Sequence, residues 1–364
     1  MSRLLRIENL LLPQFAGDVP DVPINLELNK GEQLLLLGES RFLLQGIMDS
    51  IVGLAPLRSG RIVIAGEEMS SPERHIAPHL RHCALVPALG EECTLIPDLS
   101  LLENVALAAH PFSRHKRLQM AQYYLEQVGL TIQGESFPAE QPEEIQFWTL
   151  VARALTQEPE LLLIEHPGER FSTADRQRIF ATLQILIKES GLAALICSSD
   201  AQLLYHSPQI AIISERGIEQ RGEASELYCT PKNYHVAQFC GPCQRIEGTF
   251  IANQIIQCEF ARVRPELPYE MIGLPEKTTF LLRPHEVFYE SRALSHATVS
   301  INQFAGALRH YSLTLGSGNR LEVTTPSEID IAVGKRFPFR LQLRHLLISG
   351  EDGDFIDLGA AASV

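Results

Sequence analysis

Residues 34–46, "LLLLGESRFLLQG", decide how this chain is read. Leu34 to Leu37 are a continuous apolar run, the pattern of a strand buried on both faces of a parallel sheet. A turn follows at Gly38-Glu39-Ser40, and then an apolar stretch that predicts a helix over 41–53. Strand, glycine turn and helix in that order present backbone N–H groups to a phosphate. Such a loop also needs further glycines for its backbone angles and a lysine for charge. Where those belong, this chain has Phe42, Leu43 and Leu44.

Outward from this stretch, short apolar runs alternate with helical patterns. Strands are predicted at 4–12, 22–28, 32–38, 60–66, 82–87, 160–166, 192–198 and 209–214. Helices are predicted at 115–128, 143–156 and 173–190, the last opening on Ser172 as its cap. The pattern is α/β, with a parallel sheet and an antiparallel β edge near the N-terminus. Beyond Gly241 the character changes. From 245 to 360 short β-like runs dominate, separated by turn signals at 316–319 and 351–353. We expect two domains, 1–241 and a smaller all-β, barrel-like domain at 242–364.

Bulk properties narrow the function. The 364 residues suffice for two cored domains. A net charge of −13 argues against a nucleic-acid partner or a polybasic lipid binder. No apolar run approaches the roughly 18 residues of a membrane span, and "MSRLLRIENLLLPQF" has no secretory pattern. Seven scattered cysteines do not make a disulfide scaffold, so a reducing cytoplasm is expected. "FCGPCQ" has the Cys240-x-x-Cys243 spacing of a redox site, but no strand–helix unit surrounds it and no further zinc ligands are near. It is read as two cysteines in a hinge, and no metal site is expected.

The order of landmarks resembles the ATP-binding subunit of an ABC transporter, most closely the importer subgroup serving iron, polyamine, sulfate or sugar uptake. "LNKGEQLLLLGES" is similar to the strand entering the Walker A loop, and "IVGLAPLRSGRIVIAGEE" to the hairpin segment after the Walker A helix. "HCALVPALGEECTLIPDLSLLENV" resembles the Q-loop region, and "LVARALTQEPELLLIEHP" the helix and strand of Walker B. "AIISERGIEQRGEASELYCTP" with "AQFCG" resembles the exit from the domain. The tail, with "LLRPHEV" at 281–287, resembles the accessory oligonucleotide-fold-like domain of the TOBE type. The resemblance implies a P-loop NTPase-like nucleotide-binding domain followed by that smaller domain.

Position by position, the resemblance implies a site stripped of its chemistry. Of the Walker A residues only Gly38 and Ser40 survive; its later glycines fall at Arg41 and Leu43, its lysine at Leu44, its Ser/Thr pair at Gln45 and Gly46. The Q-loop glutamine falls at Ala88, and the signature sequence on Gln141-Pro142-Glu143-Glu144-Ile145, whose carboxylates would repel a phosphate. The Walker B aspartate becomes Glu165 and the general base His166. Histidine suits a base near neutrality, yet no lysine, hydroxyl or glutamine accompanies it. The switch histidine is Ser199 and the D-loop aspartate Ser172, while Phe15 stands at the adenine-stacking position.

The reading is therefore a pseudo-ATPase with no cofactor, acting as a structural or regulatory subunit of an importer-type permease. Permease subunits would be met through Pro87, Ala88 and Leu89, in the groove around 87–105, or through the β-rich tail. A second ATP-binding subunit or a second copy would complete a dimer, at the cytoplasmic face of the inner membrane. An alternative is an ATP-hydrolysing importer subunit with unconventional residues, which alone would require ATP and Mg²⁺. A third reading makes the C-terminal domain a sensor of a small oxyanion or metal, cued by Arg283, Pro284 and His285.

Overall fold

The computed structural model describes residues 3–12, 22–90, 95–168, 171–251, 255–265, 276–350 and 352–363. The chain divides into two compact units, Met1–Ala224 and Ser225–Val364. The domain boundary expected at 241/242 lies inside the second unit.

In the first unit the strands are β1 (Arg3–Leu11), β2 (Ile24–Asn29), β3 (Gln33–Leu37), β4 (Ser59–Ile64), β5 (Glu67–Ser71) and β6 (Arg74–His75). They continue with β7 (Cys83–Val86), β8 (Leu161–Glu165), β9 (Ala193–Ser198), β10 (Ile210–Ser214) and β11 (Gly217–Gly222). The helices are α1 (Arg41–Val52), α2 (Leu101–Ala106), α3 (Arg114–Gln127), α4 (Glu143–Leu155) and α5 (Thr173–Ser190). One sheet runs β11-β10-β3-β9-β8-β7, parallel except for the β10–β11 edge. Its central members are buried throughout: Leu34–Leu37, Leu161–Ile164 and Ala193–Ile196 are all fully enclosed. Each such leucine or isoleucine contributes about 2 kcal/mol by leaving water, so this sheet fixes where its loops end.

The N-terminal β structure is a sheet of its own, β2-β1-β4-β5-β6, antiparallel in every pairing, where an edge of the main sheet was expected. Its short polar strands β5 and β6 carry too few apolar residues to be legible. α1 lies between the two sheets, its buried face of Leu43, Leu44, Ile47, Met48 and Ile51 sharing one core with both. Arg81 secures the far end of α1. Its buried guanidinium donates to the Ser50 and Ile51 carbonyls at 3.1 and 2.7 Å, and to Ser70 Oγ at 2.6 Å. Gly53, at φ +90°, must be glycine, because a Cβ there would fall 2.3 Å from the Arg81 guanidinium carbon.

The second unit opens with α6 (Ala224–Cys229), which starts at the unit boundary, and α7 (Tyr234–Cys240). Its strands are β12 (Gln244–Ile251), β13 (Ile255–Cys258), β14 (Arg262–Pro265), β15 (Lys277–Leu282), β16 (Val287–Tyr289) and β17 (His296–Ala305). The remainder are β18 (Leu308–Thr314), β19 (Arg320–Pro326), β20 (Arg336–Leu343), β21 (Leu347–Ser349), β22 (Phe355–Asp357) and β23 (Ala361–Ser363). Every described pairing among them is antiparallel, around a core that includes Phe280, Tyr311, Phe337 and Phe339. The apolar run "TFLLRPHEVFYE" at 279–290 holds two strands, because a 3-10 turn at Pro284–Glu286 separates β15 from β16.

Candidate functional site

The site expected from the sequence lies at the C-terminal ends of β3, β8 and β9, where open parallel sheets bind their ligands. Between β3 and α1 the turn is short. Gly38 donates its N–H to the Ser198 carbonyl at 3.2 Å, and an added Cβ would stand 2.8 Å from both Ile213 Cγ2 and the Ile213 carbonyl oxygen. Close packing against β10 thus accounts for this glycine. Ser40 caps α1, its hydroxyl accepting from Leu43 N–H at 3.2 Å. Both residues that match the phosphate-loop pattern have structural duties here.

The next positions point in opposite directions. Phe42 is 85% exposed, whereas Leu44 is fully buried in the core beside Leu34, Leu36 and Ile47. Arg41 is exposed on the first turn. Gln45 turns toward β8: its amide Nε2 donates to Glu165 Oε1 at 2.9 Å and to Asp49 Oδ1 at 3.0 Å. One side-chain amide therefore serves two carboxylates. Glu165 is buried and its pKa is raised, chiefly by burial and further by the nearby Asp49 carboxylate. The Gln45 amide and a backbone N–H at Ala88 pull in the other direction. The i,i+4 spacing of Gln45 and Asp49 was legible as a shared helix face; their convergence on Glu165, 120 residues away, was not.

His166 adopts the left-handed region at φ +43° and donates its backbone N–H to the Cys197 carbonyl at 2.8 Å. It lines a cavity of about 10 Å³ with Pro87, Leu89, Phe147, Glu165, Pro167, Gly168 and Phe171. That is the room of about one water. Pro87, Ala88 and Leu89 are half-buried after β7, two of them on this wall. The groove residues 91–94, like Phe15, lie outside the described residues. Ser199 follows β9 and precedes Asp200, which pairs with buried Arg176 at 2.9 Å; Arg176 also donates to the Gly168 carbonyl at 2.7 Å. Ser172 caps α5, accepting from Asp175 N–H at 3.2 Å.

Gln141–Ile145 leads into α4, with Pro142 at its cap position and no side-chain cap bond. Glu143 and Glu144 occupy its first turn, where negative charge complements the helix dipole. Glu144 is held by Arg178 of α5, with Nε to Oε1 at 3.2 Å and a second contact from Nη2. The anion at this helix start is the chain's own.

In the second unit Arg283 is buried. It donates to the carbonyls of Ala237, Gly241 and Tyr228 at 3.0, 3.1 and 2.8 Å and stacks 3.9 Å from the Tyr228 ring centroid. Its cationic head caps α7 by these bonds. His285 stacks on Tyr228, its pKa lowered by burial and then by Arg283 and Arg344. Cys240 and Cys243 are both free thiols; burial raises both, Cys240 to about 12. Among the described residues no cluster of His, Cys, Asp and Glu has metal-ligand geometry, and no helix is long and apolar enough to cross a membrane.

Comparison with known proteins adds ancestry. No family model matches the chain. It is similar to the spermidine/putrescine import ATP-binding protein PotA of Chromobacterium violaceum, with 28% identity over 316 residues, spanning 79% of this chain and 85% of that protein. It is likewise similar to the Fe(3+) ions import ATP-binding protein FbpC 1 of Rhizobium meliloti, with 28% identity over 84% of this chain and 83% of that one. Among solved structures, cbiO1 from Clostridium perfringens, part of the ABC transporter complex cbiONQ, matches 63% of this chain and 91% of its own at 17% identity and TM-score 0.56.

Proposed function

We propose, on the premise that this chain is a homologue of the ATP-binding subunits of ABC importers and carries the ABC ATPase fold, that it is a pseudo-ATPase. It acts as a structural or regulatory subunit of an importer-type permease, docking from the cytoplasmic face without hydrolysing nucleotide. The carrying observation is the bond from Gln45 to Glu165 and Asp49, set beside the burial of Leu44.

Phosphoryl transfer depends on positioned charge: a metal, a lysine and oriented N–H groups. At the lysine position Leu44 is committed to the core, and at the metal-binding hydroxyl position a neutral amide already engages the carboxylate. Phe42 adds an apolar ring at the mouth of the loop. Mg²⁺-nucleotide does not fit these residues. The same holds for the Gln141–Ile145 surface, where Glu143 and Glu144 stand in front of any partner-held phosphate.

The relatives are named as ATP-binding proteins for spermidine/putrescine and Fe(3+) import, which favours ATP binding, the first requirement of the alternative, in this chain as well. The test is phosphate release from Mg²⁺-ATP by the full chain. Its comparison is a variant with Arg41→Gly, Leu43→Gly, Leu44→Lys, Gln45→Ser and Gly46→Thr, checked for folding by circular dichroism. The expected result is no release above blank by the natural chain. Release abolished by His166→Ala or Glu165→Ala would overturn the proposal.

A further inference from the structure

Between Glu103 and Glu126 the chain has no acidic residue, although it carries 44 Asp and Glu in all. The only charges in that interval are Arg114, Lys116 and Arg117, accompanied by His110 and His115. All but His110 fall in the first turn of α3, which Ser113 caps and in which no acid is present. Cations at that end oppose the helix dipole, so the local sequence works against the helix it starts. Conflicts of that kind concentrate at functional surfaces.

The surroundings leave these cations facing solvent. Phe112, Arg114, His115 and Lys116 are exposed, and α3 buries only Ala121 and Leu125. Lys116 Nζ lies 3.9 Å from the centroid of the Phe112 ring, itself 40% exposed, so charge and apolar area form one surface. Among the described residues no carboxylate pairs with Arg114, His115, Lys116 or Arg117; the ion pairs of this unit lie elsewhere.

We propose that this surface, Phe112 with Arg114, His115 and Lys116, is a docking site for an acidic segment of a partner protein. Aspartate or glutamate side chains of that segment pair with the cations, and an apolar side chain packs on Phe112. Charge complementarity selects a narrow acidic segment over an anionic membrane. A segment engages only charges within a screening length of roughly 8 Å, whereas a lipid plane meets a whole side of a chain whose net charge is −13.

The experiment uses the full chain and a fluorescein-labelled 16-residue glutamate-rich peptide with leucine at every fourth position, followed by anisotropy at 50 and 300 mM salt. Saturable, salt-sensitive binding is expected. It weakens at least tenfold in the R114E/K116E double variant and several-fold in F112A, and is unchanged in K188E, a single charge reversal on exposed Lys188 of α5 that controls for net charge at half the size. Because the cations oppose the dipole, R114E/K116E should also melt about 2 °C higher. Absence of binding at 50 mM salt, or equal binding by R114E/K116E, would overturn the proposal. So would a lower melting temperature in the double variant. Vesicles of phosphatidylcholine and phosphatidylglycerol at 3:1 form the last arm, where Arg114-dependent binding without peptide binding would assign the surface to lipid instead.

Discussion

β3, β8 and β9 and the loops at their C-terminal ends are built by different rules. The strands carry what a two-sided parallel sheet demands, the buried apolar runs Leu34–Leu37, Leu161–Ile164 and Ala193–Ile196. The segments around their C-terminal ends lack the later glycines and the lysine of a phosphate loop and bond to one another instead: Ser40 caps α1, Gln45 bridges to Glu165, and Glu144 of α4 meets Arg178 of α5. On the proposed function, fold and chemistry are separable in this chain. A loop that exchanges ligand contacts for contacts of its own leaves the sheet intact.

The largest expected break of that contrast is Leu44→Lys made alone. If the position has joined the core, an ammonium placed there loses the leucine's burial and stays unpaired, costing about 4 kcal/mol. Urea denaturation reads this directly; a change below about 1 kcal/mol would mean the helix end is still a ligand surface.

The second unit shows what burial does to an ionisable group even when donors and cations partly offset it. Glu286 is buried, and burial raises its pKa to about 7 despite the Arg283 backbone N–H bonded at 2.8 Å and the charges of Arg283 and His345. The folded chain then holds a proton that the unfolded chain, at the ordinary 4.5, has released. Stability from this group is complete below pH 4.5 and falls as pH rises through about 7, by up to roughly 3 kcal/mol. Glu286→Gln should flatten thermal stability across pH 5–8; an unchanged slope would count against the assignment.

Gly38→Ala sharpens the comparison at the junction of strand and loop. A methyl 2.8 Å from the Ile213 carbonyl forces β3 and β10 apart, for about 2 kcal/mol. A neutral outcome in denaturant melts would return Gly38 to a loop role. The smallest effect is expected for Gln45→Ala, about 1 kcal/mol, since it removes one amide shared by two carboxylates. Glu165 should then titrate higher still, because its stabilising donor is lost. Carboxyl chemical shifts against pH check the direction.

Much of this was readable from sequence where one residue type suffices. Runs such as Leu161–Ile164 announce buried strands, and the helices came within about two residues of α1, α3, α4 and α5. α2 went unread although Ser100 and Glu103 form its capping box, a signal too short to carry a helix of six residues alone. β17 and β18 are hard to read as strands because their outward positions, among them Gln303 and His310, dilute the alternation. At the site, sequence shows which groups are gone. It does not show what fills their place, because Gln45, Asp49 and Glu165 meet only in the folded chain, as Arg283 meets the end of α7.

The most direct measurement is calorimetric titration of the purified full chain with ATP, with and without Mg²⁺. The expected result is no heat of binding up to millimolar nucleotide. Micromolar, Mg²⁺-dependent binding would contradict it, and would mean that Gln45 releases Glu165 to a metal.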